Sequence, residues 1–414
     1  MKKVLSIILS LVFLLQLGGC YDYRGLDKLT IVAGVAIDLC ESSNQYRVTL
    51  EILDTAGASD KTERKTELIV SEGQTIFDAI FNANKQLRSE MYFGNTGILI
   101  VGHQLAEKEG LNFIMDAIMR DFSLRDTVSI VISREDSAKA LLEYKSDEGV
   151  IISYEIESNL NTAKLSTTSI RPYPLYKIYN YLSADSEMYN LPLPAFGFEE
   201  VSGEEEDKET EEGAKKEKIL LSNGMAIFSE DKMVDWFDDQ YMPYYLFLTE
   251  ELSGGTFVFF LDDEEKSGEE NDKEQNPDMD VTVQIEQSRP QLDYEFSDDH
   301  FTLKAHIDVN CSIVEAPPTL PSMDANTIEQ ITQNANEALS NHIQEMIREM
   351  QKTGHGGIFG FGKFLYRNNP KLWDSVKDNW QEYFSDADME ISCDFIIEDS
   401  GILKHYEADD KEDD

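Results

Sequence analysis

The chain has 414 residues, with 80 Asp and Glu against 36 Lys and Arg and a formal net charge of −44. Hydrophobic residues at 41% suffice for real cores, and the length suits two or three domains. The charge excludes nucleic acid as a partner, since its phosphates would be repelled, and excludes adhesion to anionic lipid by charge alone, which needs a basic patch.

At the amino end, Lys2 and Lys3 precede an apolar run from Val4 to Leu17. This is the anatomy of a signal peptide over residues 1–19, and the run is shorter than the roughly 20 residues of a membrane span. Leu17, Gly18, Gly19 and Cys20 resemble the bacterial lipobox, where the cysteine thiol takes a diacylglycerol and the peptide is cut before it. The competing reading is an ordinary signal peptide followed by an incidental cysteine. Spacing, small residues and cysteine together favour the lipobox. The mature chain then starts at Cys20, lies outside the cytoplasm and loses two lysines, taking the charge from −44 to −46. Acyl chains hold it to the membrane, each buried methylene adding about 0.8 kcal/mol. No later stretch is apolar and long enough to span a bilayer.

No flexible tether follows Cys20. The stretch from Leu29 to Asp38 reads as a strand, so the body should sit close to the bilayer. Tyr46, Val48, Leu50 and Ile52 alternate as a second strand. A helix follows with Ile76, Phe77, Ile80, Phe81 and Leu87 on one face, then a buried strand from Gly97 to Val101. Leu111, Ile114, Met115, Ile118 and Met119 mark another helix, Thr127 to Ser133 a strand, and Ala138 to Tyr144 a short helix. Pro172, Pro174, Pro192 and Pro194 predict an irregular exit from this first domain.

Residues 202–218 and 262–280 are acidic and nearly devoid of apolar side chains. Such segments cannot offset the entropy of ordering. Between them, Asn223-Gly224 reads as a turn, and Met225 to Phe228, Tyr244 to Leu248 and Thr256 to Leu261 read as extended. Further on, Phe301 to Ile313 alternate as a half-buried strand. Ile328, Ile331, Ala335, Leu339, Ile343, Met346, Ile347 and Met350 then step by three and four. They predict one amphipathic helix of about 28 residues, roughly 42 Å long, stopped at Gly354. Pro370 opens another helix with Leu372, Trp373, Val376, Trp380 and Phe384 inward, and Met389 to Phe395 form a closing strand. The domains expected are 20–200, an acidic loop over 201–218, a small strand-rich middle unit over 219–290 carrying the acidic loop 262–280, a C-terminal α+β unit over 291–406, and an acidic tail over 407–414.

Chemistry is sparse. Six histidines show no i, i+4 pair and no cysteine–histidine cluster, so no metal site is expected, and His306 reads as solvated. No nucleophile elbow or phosphate loop is present, so no catalytic residue is expected. Asp263, Glu265, Ser267, Gly268 and Glu274 fall at calcium-loop positions, but Glu270 occupies an apolar position and the preceding segment reads as strand, so diffuse cation binding is the better reading. Cys311 and Cys393 lie on apolar strand faces and read as buried thiols, a Cys311–Cys393 disulfide being the alternative. Gly354 to Gly362 read as a turn of unusual dihedrals or as a ligand or partner contact.

Taken together, these residues resemble the Ger(x)C lipoproteins, the C subunits of spore germinant receptors, over nearly the whole chain. The first mark is Cys20-Tyr21-Asp22-Tyr23-Arg24 running into Ile31 to Asp38, with the Gly-x-x-x-Asp pattern at Gly34 and Asp38. Tyr21 stands for the usual Trp and Gly25 for the usual Glu. The second is Met91-Tyr92-Phe93-Gly94, the following strand, Leu105-Ala106, Gly110, Arg120-Asp121 and Arg125, with Asn95 where His is frequent. The third is Gly360-Phe361-Gly362, Asn369-Pro370, Trp373, Trp380, Phe384 and Gly401, with Gly356-Gly357 replacing an Asp. The two acidic loops look like additions specific to this chain.

The resemblance implies three α/β-type domains; with the residue pattern, the expectation is an α+β body of three mixed domains, with mainly antiparallel sheets and one long helix in the C-terminal domain. It implies a non-catalytic subunit whose only attached group is the diacylglycerol and palmitate on Cys20, anchored to the outer face of the spore inner membrane. The partners implied are integral membrane A- and B-type subunits that carry nutrient recognition, so no ligand pocket is assigned here. A partner-facing strip is expected around Asp22, Arg24 and Asp38 with Arg120 and Arg125; structural ion pairs are an equal reading for the arginines. The alternative function, a solute-binding lipoprotein of a transporter, fits poorly: such proteins have a tether and two alternating βα lobes.

Overall fold

The computed structural model describes residues 29–40, 42–53, 66–121, 124–144, 150–162, 172–183, 190–201, 217–261, 280–317, 320 and 323–399. The lipobox residues Leu17, Gly18, Gly19 and Cys20, the flanking Asp22 and Arg24, the calcium-like positions, the acidic tail, Gly401 and nearly all of the two acidic segments lie outside them.

Two mixed sheets organise the chain. In the larger the strand order is β3 (Thr66–Gly73), β2 (Gln45–Leu53), β1 (Leu29–Cys40), β5 (Ile98–Gly102), β6 (Ser129–Ser133), β7 (Leu191–Val201), β8 (Glu217–Ser229), β9 (Lys232–Phe237), with β4 (Glu90–Tyr92) paired to β1. The centre, β1-β5-β6-β7, is parallel, and both flanks are antiparallel. The all-buried runs Ile98–Gly102 and Ser129–Ser133 are what a parallel strand covered on both faces requires. Helices α1 (Ile76–Asn84), α2 (His103–Lys108), α3 (Gly110–Asp121) and α6 (Leu175–Ser183) cover one face, burying Ile80, Leu105, Ile114 and Ile178 against Val35, Ile37, Leu99 and Ile130. Helices α4 (Ala138–Leu142) and α5 (Ile152–Thr162) cover the other, with Leu141 and Ile156 on Ala36, Ile100 and Val131.

The second sheet runs β10 (Thr256–Phe260), β11 (Asp280–Ser297), β12 (His300–Glu315), β13 (Asp388–Asp399). The first two pairings are antiparallel and β12–β13 is parallel. One face packs on helix α7 (Met242–Thr249), on the 29-residue helix α8 (Ala325–Thr353), and on α9 (Phe361–Asn368), α10 (Pro370–Val376) and α11 (Trp380–Asp386). Across both sheets six antiparallel pairings stand against five parallel ones, so the parallel centre is a larger share than expected.

The middle unit over 219–290 dissolves. Strands β8 and β9 extend the first sheet, while β10 and β11 build the second. Asn223-Gly224 is no hairpin turn: it lies inside β8, where Gly224 at φ +68° absorbs a register shift against β7. Tyr244 to Leu248 are helical, not extended, because Pro243 opens α7 and Met242, Leu246, Phe247 and Leu248 are buried all round it, which erases the one-sided pattern. The prolines at 192 and 194 lie in a strand after all. Proline cannot donate to a ladder, and β7 pairs with β6 only at Ala195 and Phe196, past both prolines. In α1, Ala79 and Ala83 take the inner positions beside Ile76 and Ile80, and Phe77 and Phe81 turn outward. Met119 likewise faces solvent. Cys40, Cys311 and Cys393 are free, buried thiols; burial pushes Cys311 up to about 12 and Cys393 up to about 11.

Candidate functional site

Among the expected partner-facing residues that the structure describes, Asp38 is withdrawn into the body, at 5% exposure. It lies near the end of β1, beneath the start of α4. Its Oδ1 accepts from Ala138 N at 2.6 Å and its Oδ2 from Lys139 N at 3.1 Å. These are two of the orphan donors of a helix start. Burial raises the Asp38 pKa against the pull of those two N–H groups. Gly102 packs against the Asp38 carboxylate, leaving no room there for a Cβ.

Glu51 does the same for α5. Its carboxylate accepts from Ile152 N at 3.1 Å, from Ser153 N at 2.9 Å and from the Ser153 hydroxyl. A Cβ on Gly34 would overlap Ser153 Oγ. The Gly34–Asp38 pattern is thereby explained. Gly34 admits the capped end of α5, and four residues on Asp38 caps α4, both on the face of the sheet away from α1 and α3. Glu51 was not singled out in the sequence, where it falls on the polar phase of the strand with Arg47 and Thr49 and reads as a surface acid; only the tertiary cover of that face by α4 and α5 buries it.

The arginines part company. Arg120 is exposed and pairs with Asp116 one turn back, Nη2 to Oδ1 at 2.8 Å. Arg125 donates to Thr96 O at 3.2 Å, and Thr96 donates through its hydroxyl to Val32 O at 3.0 Å. Arg125 thus ties its loop to the turn after Phe93-Gly94 and to β1. The structure does not gather Asp38, Arg120 and Arg125 into one cluster.

The third mark forms the seam between the two sheets. Gly354 ends α8 at φ +74°, and Gly360 at φ +82° closes a short 3₁₀ turn over Gly356–Phe359 and opens α9. Phe361 and Gly362 are buried. A Cβ on Gly356 would overlap the Phe384 ring, which explains why no side chain stands there. Gly357 N donates to Asn190 Oδ1 at 3.2 Å, and Asn190 Nδ2 donates to Phe228 O at 3.3 Å. The buried Asn190 therefore bridges the turn to the large sheet. Beside it, a cleft of about 390 Å³ is lined by Asn190, Glu230, Gly356, Lys377, Asn379 and Trp380 among others. His355 lies near Asp235 of β9, Nε2 to Oδ2 at 3.9 Å, and burial lowers its pKa. The turn is thus chiefly architectural, with one polar cleft at its edge.

Comparison with known proteins finds two matched stretches whose borders fall within β7 and β8 of the large sheet, not between the two sheets. Residues 22–195 match the family described as spore germination protein N-terminal domain, and residues 223–401 match spore germination B3/GerAC like, C-terminal. Spore germination protein KC of Bacillus subtilis (strain 168) is 22% identical, covering 99% of this chain and 100% of its own length. Spore germination protein GerQC of Bacillus cereus is 22% identical, covering 98% and 100%. Among solved structures, the crystal structure of the GerBC protein shares the fold with a TM-score of 0.51 at 15% identity, covering 88% of this chain and 97% of that one. No helix of the described residues is long and apolar enough to cross a membrane.

Proposed function

Because the chain belongs to the GerAC-like family of spore germination proteins, whose two domain models match residues 22–195 and 223–401, we propose that it is the lipid-anchored, non-catalytic subunit of a spore nutrient germinant receptor. It acts with integral membrane A- and B-type subunits on the outer face of the spore inner membrane, and Cys20 carries the diacylglycerol and palmitate that hold it there. The carrying observation is the match over both halves of the body, joined to a lipobox that ends only nine residues before β1 at Leu29. Such a short connection holds the large sheet within reach of membrane partners. The buried carboxylates support a scaffold, since Asp38 and Glu51 are both spent on capping helices.

Nutrient-triggered germination of spores tests this reading. Deletion of the protein abolishes or slows the response to one nutrient class, and Cys20→Ala does the same by releasing the body from the membrane. An undiminished response of the deletion strain to every nutrient, together with no polytopic membrane protein co-purifying with the wild-type chain from spores, overturns it.

A further inference from the structure

The open face of the second sheet carries a His–Asp–Asp constellation. His306 and Asp308 are two apart on β12 and so share a face. Asp394 is the register partner of Asp308 on β13, and Ser392 that of His306. His306 Nε2 lies 3.3 Å from Asp308 Oδ1 and 3.5 Å from Asp394 Oδ2, and one ligand atom from each residue falls within 4.8 Å of the other two.

The distances fit two arrangements, a long hydrogen bond from His306 to Asp308 or three donors around one ion. A closed charge-assisted N–H···O bond runs about 2.7–2.9 Å, and both contacts are longer. Donor atoms of a tetrahedral zinc ion, bonded at about 2.0–2.1 Å, stand about 3.3 Å apart, close to the 3.3 and 3.5 Å from His306 to the two carboxylates. The supporting groups fit the same arrangement. His306 Nδ1 lies 2.9 Å from Ser392 Oγ; with Nδ1–H donating to that hydroxyl, the Nε2 lone pair is turned to the carboxylates, the orientation that an outer partner gives a metal-binding histidine. Gln291 Nε2 donates to Asp308 Oδ2 at 2.8 Å and leaves Oδ1 for the site.

His300, on the same face, supplies the contrast. Its Nε2 lies 3.1 Å from Asp388 and its Nδ1 3.5 Å from Asp386. The two carboxylates there meet different ring nitrogens and do not converge on one atom. Lys304, between the two histidines in sequence, is held by Glu295 and Glu390, each at 2.8 Å, so its ammonium already has carboxylate partners of its own.

We propose that His306, Asp308 and Asp394 bind one divalent transition-metal ion of the zinc class, with Ser392 and Gln291 as orienting partners and the fourth position held by water. One imidazole and two carboxylates suit zinc, cobalt or manganese. Three protein ligands on an exposed sheet leave the ion open on its outward side, as in sites that keep an exchangeable position.

Zinc calorimetry and cobalt(II) absorption on the full mature chain test the site. The expected result is one saturable equivalent with the visible band of tetrahedral cobalt. His306→Ala and Asp394→Asn lose that band and weaken zinc at least about tenfold, Ser392→Ala weakens it about tenfold, and His300→Ala binds as wild type does. All four positions are partly exposed, and circular dichroism confirms that each variant is folded. Absence of saturable binding overturns the proposal. So does equal affinity in wild type and His306→Ala, which would assign the uptake to the acidic segments instead.

Discussion

A buried carboxylate is costly unless hydrogen bonds replace its lost water, and Asp38 shows how the replacement is arranged, with Arg47 and His103 adding a lesser attraction. Both oxygens accept from the first amides of α4, and the partial positive charge of a helix start adds to the attraction. Asp38→Ala leaves the Ala138 and Lys139 amides without these acceptors in an interior position. The expected loss is about 2–3 kcal/mol, the sum of a missing cap and an unsatisfied buried donor, read as a lower urea midpoint with an unchanged slope. Asp38→Asn keeps one acceptor oxygen and falls between the two. A loss below about 0.5 kcal/mol would return Asp38 to a surface role. The family resemblance marked Asp38 through the Gly-x-x-x-Asp pattern with Gly34, but the amides it serves lie a hundred residues further on, in α4. That separation is why the task could not be read, and why a surface strip was the natural expectation.

At the scale of elements, legibility followed the source of each helix's stability. Helix α8 was readable almost to its ends because everything that makes it lies within it. Asp324 caps it through Asn326 N and Thr327 N at 3.1 and 3.0 Å, Gly354 stops it in the left-handed conformation, and a continuous stripe from Ile331 to Met350 is buried. Helices α5 and α6 escaped notice. The first amides of α5 go to Glu51 of β2, and α6 begins where Tyr173 O and Val128 O bond across to β6 and back, Ile130 N to Tyr173 O at 3.0 Å and Leu175 N to Val128 O at 2.9 Å. Their start signals come from elsewhere in the chain. The His306 cluster stayed hidden for the same reason, since Asp394 lies on another strand. The stripe of α8 also carries a measurable consequence. Leu339, fully buried at mid-helix, packs into the core of the second sheet, and Leu339→Ala should cost about 2–5 kcal/mol by lost transfer energy and the cavity left behind. Ala338→Gly, one residue away and only partly buried, should cost no more than about 1 kcal/mol. A thermal shift of similar size for both would mean that α8 stands by propensity and not by packing.

The whole molecule is held as one body by a shared wall. Along β8 successive side chains point to opposite faces, and in β9 an extra residue between Met233 and Asp235 shifts the register and puts Met233 and Phe237 on opposite faces. Met225, Ile227 and Phe237 enter the core of the second sheet, while Ala226, Phe228 and Met233 enter the core of the first. The family's two domain matches leave a gap from 196 to 222, yet β7 and β8 close the first sheet across it. A cut in the gap would strip that sheet of two strands and expose the apolar face that the second half covers. Unfolding should therefore be a single transition, although the chain is longer than most that unfold so. The three tryptophans allow the test: Trp236 reports the large sheet, and Trp373 and Trp380 report the second core. Variants keeping only one of these groups, the others replaced by Phe, should give coincident midpoints in urea. Phe237→Ala, at the wall itself, should lower both midpoints together by about 3–5 kcal/mol of stability. If the Trp236 signal moved alone, or the two signals separated in the parent chain, the wall would be a contact between independent domains. Coincident movement would mean that a force or ligand felt at one sheet reaches the other without a hinge, as the proposed role beside membrane subunits would require.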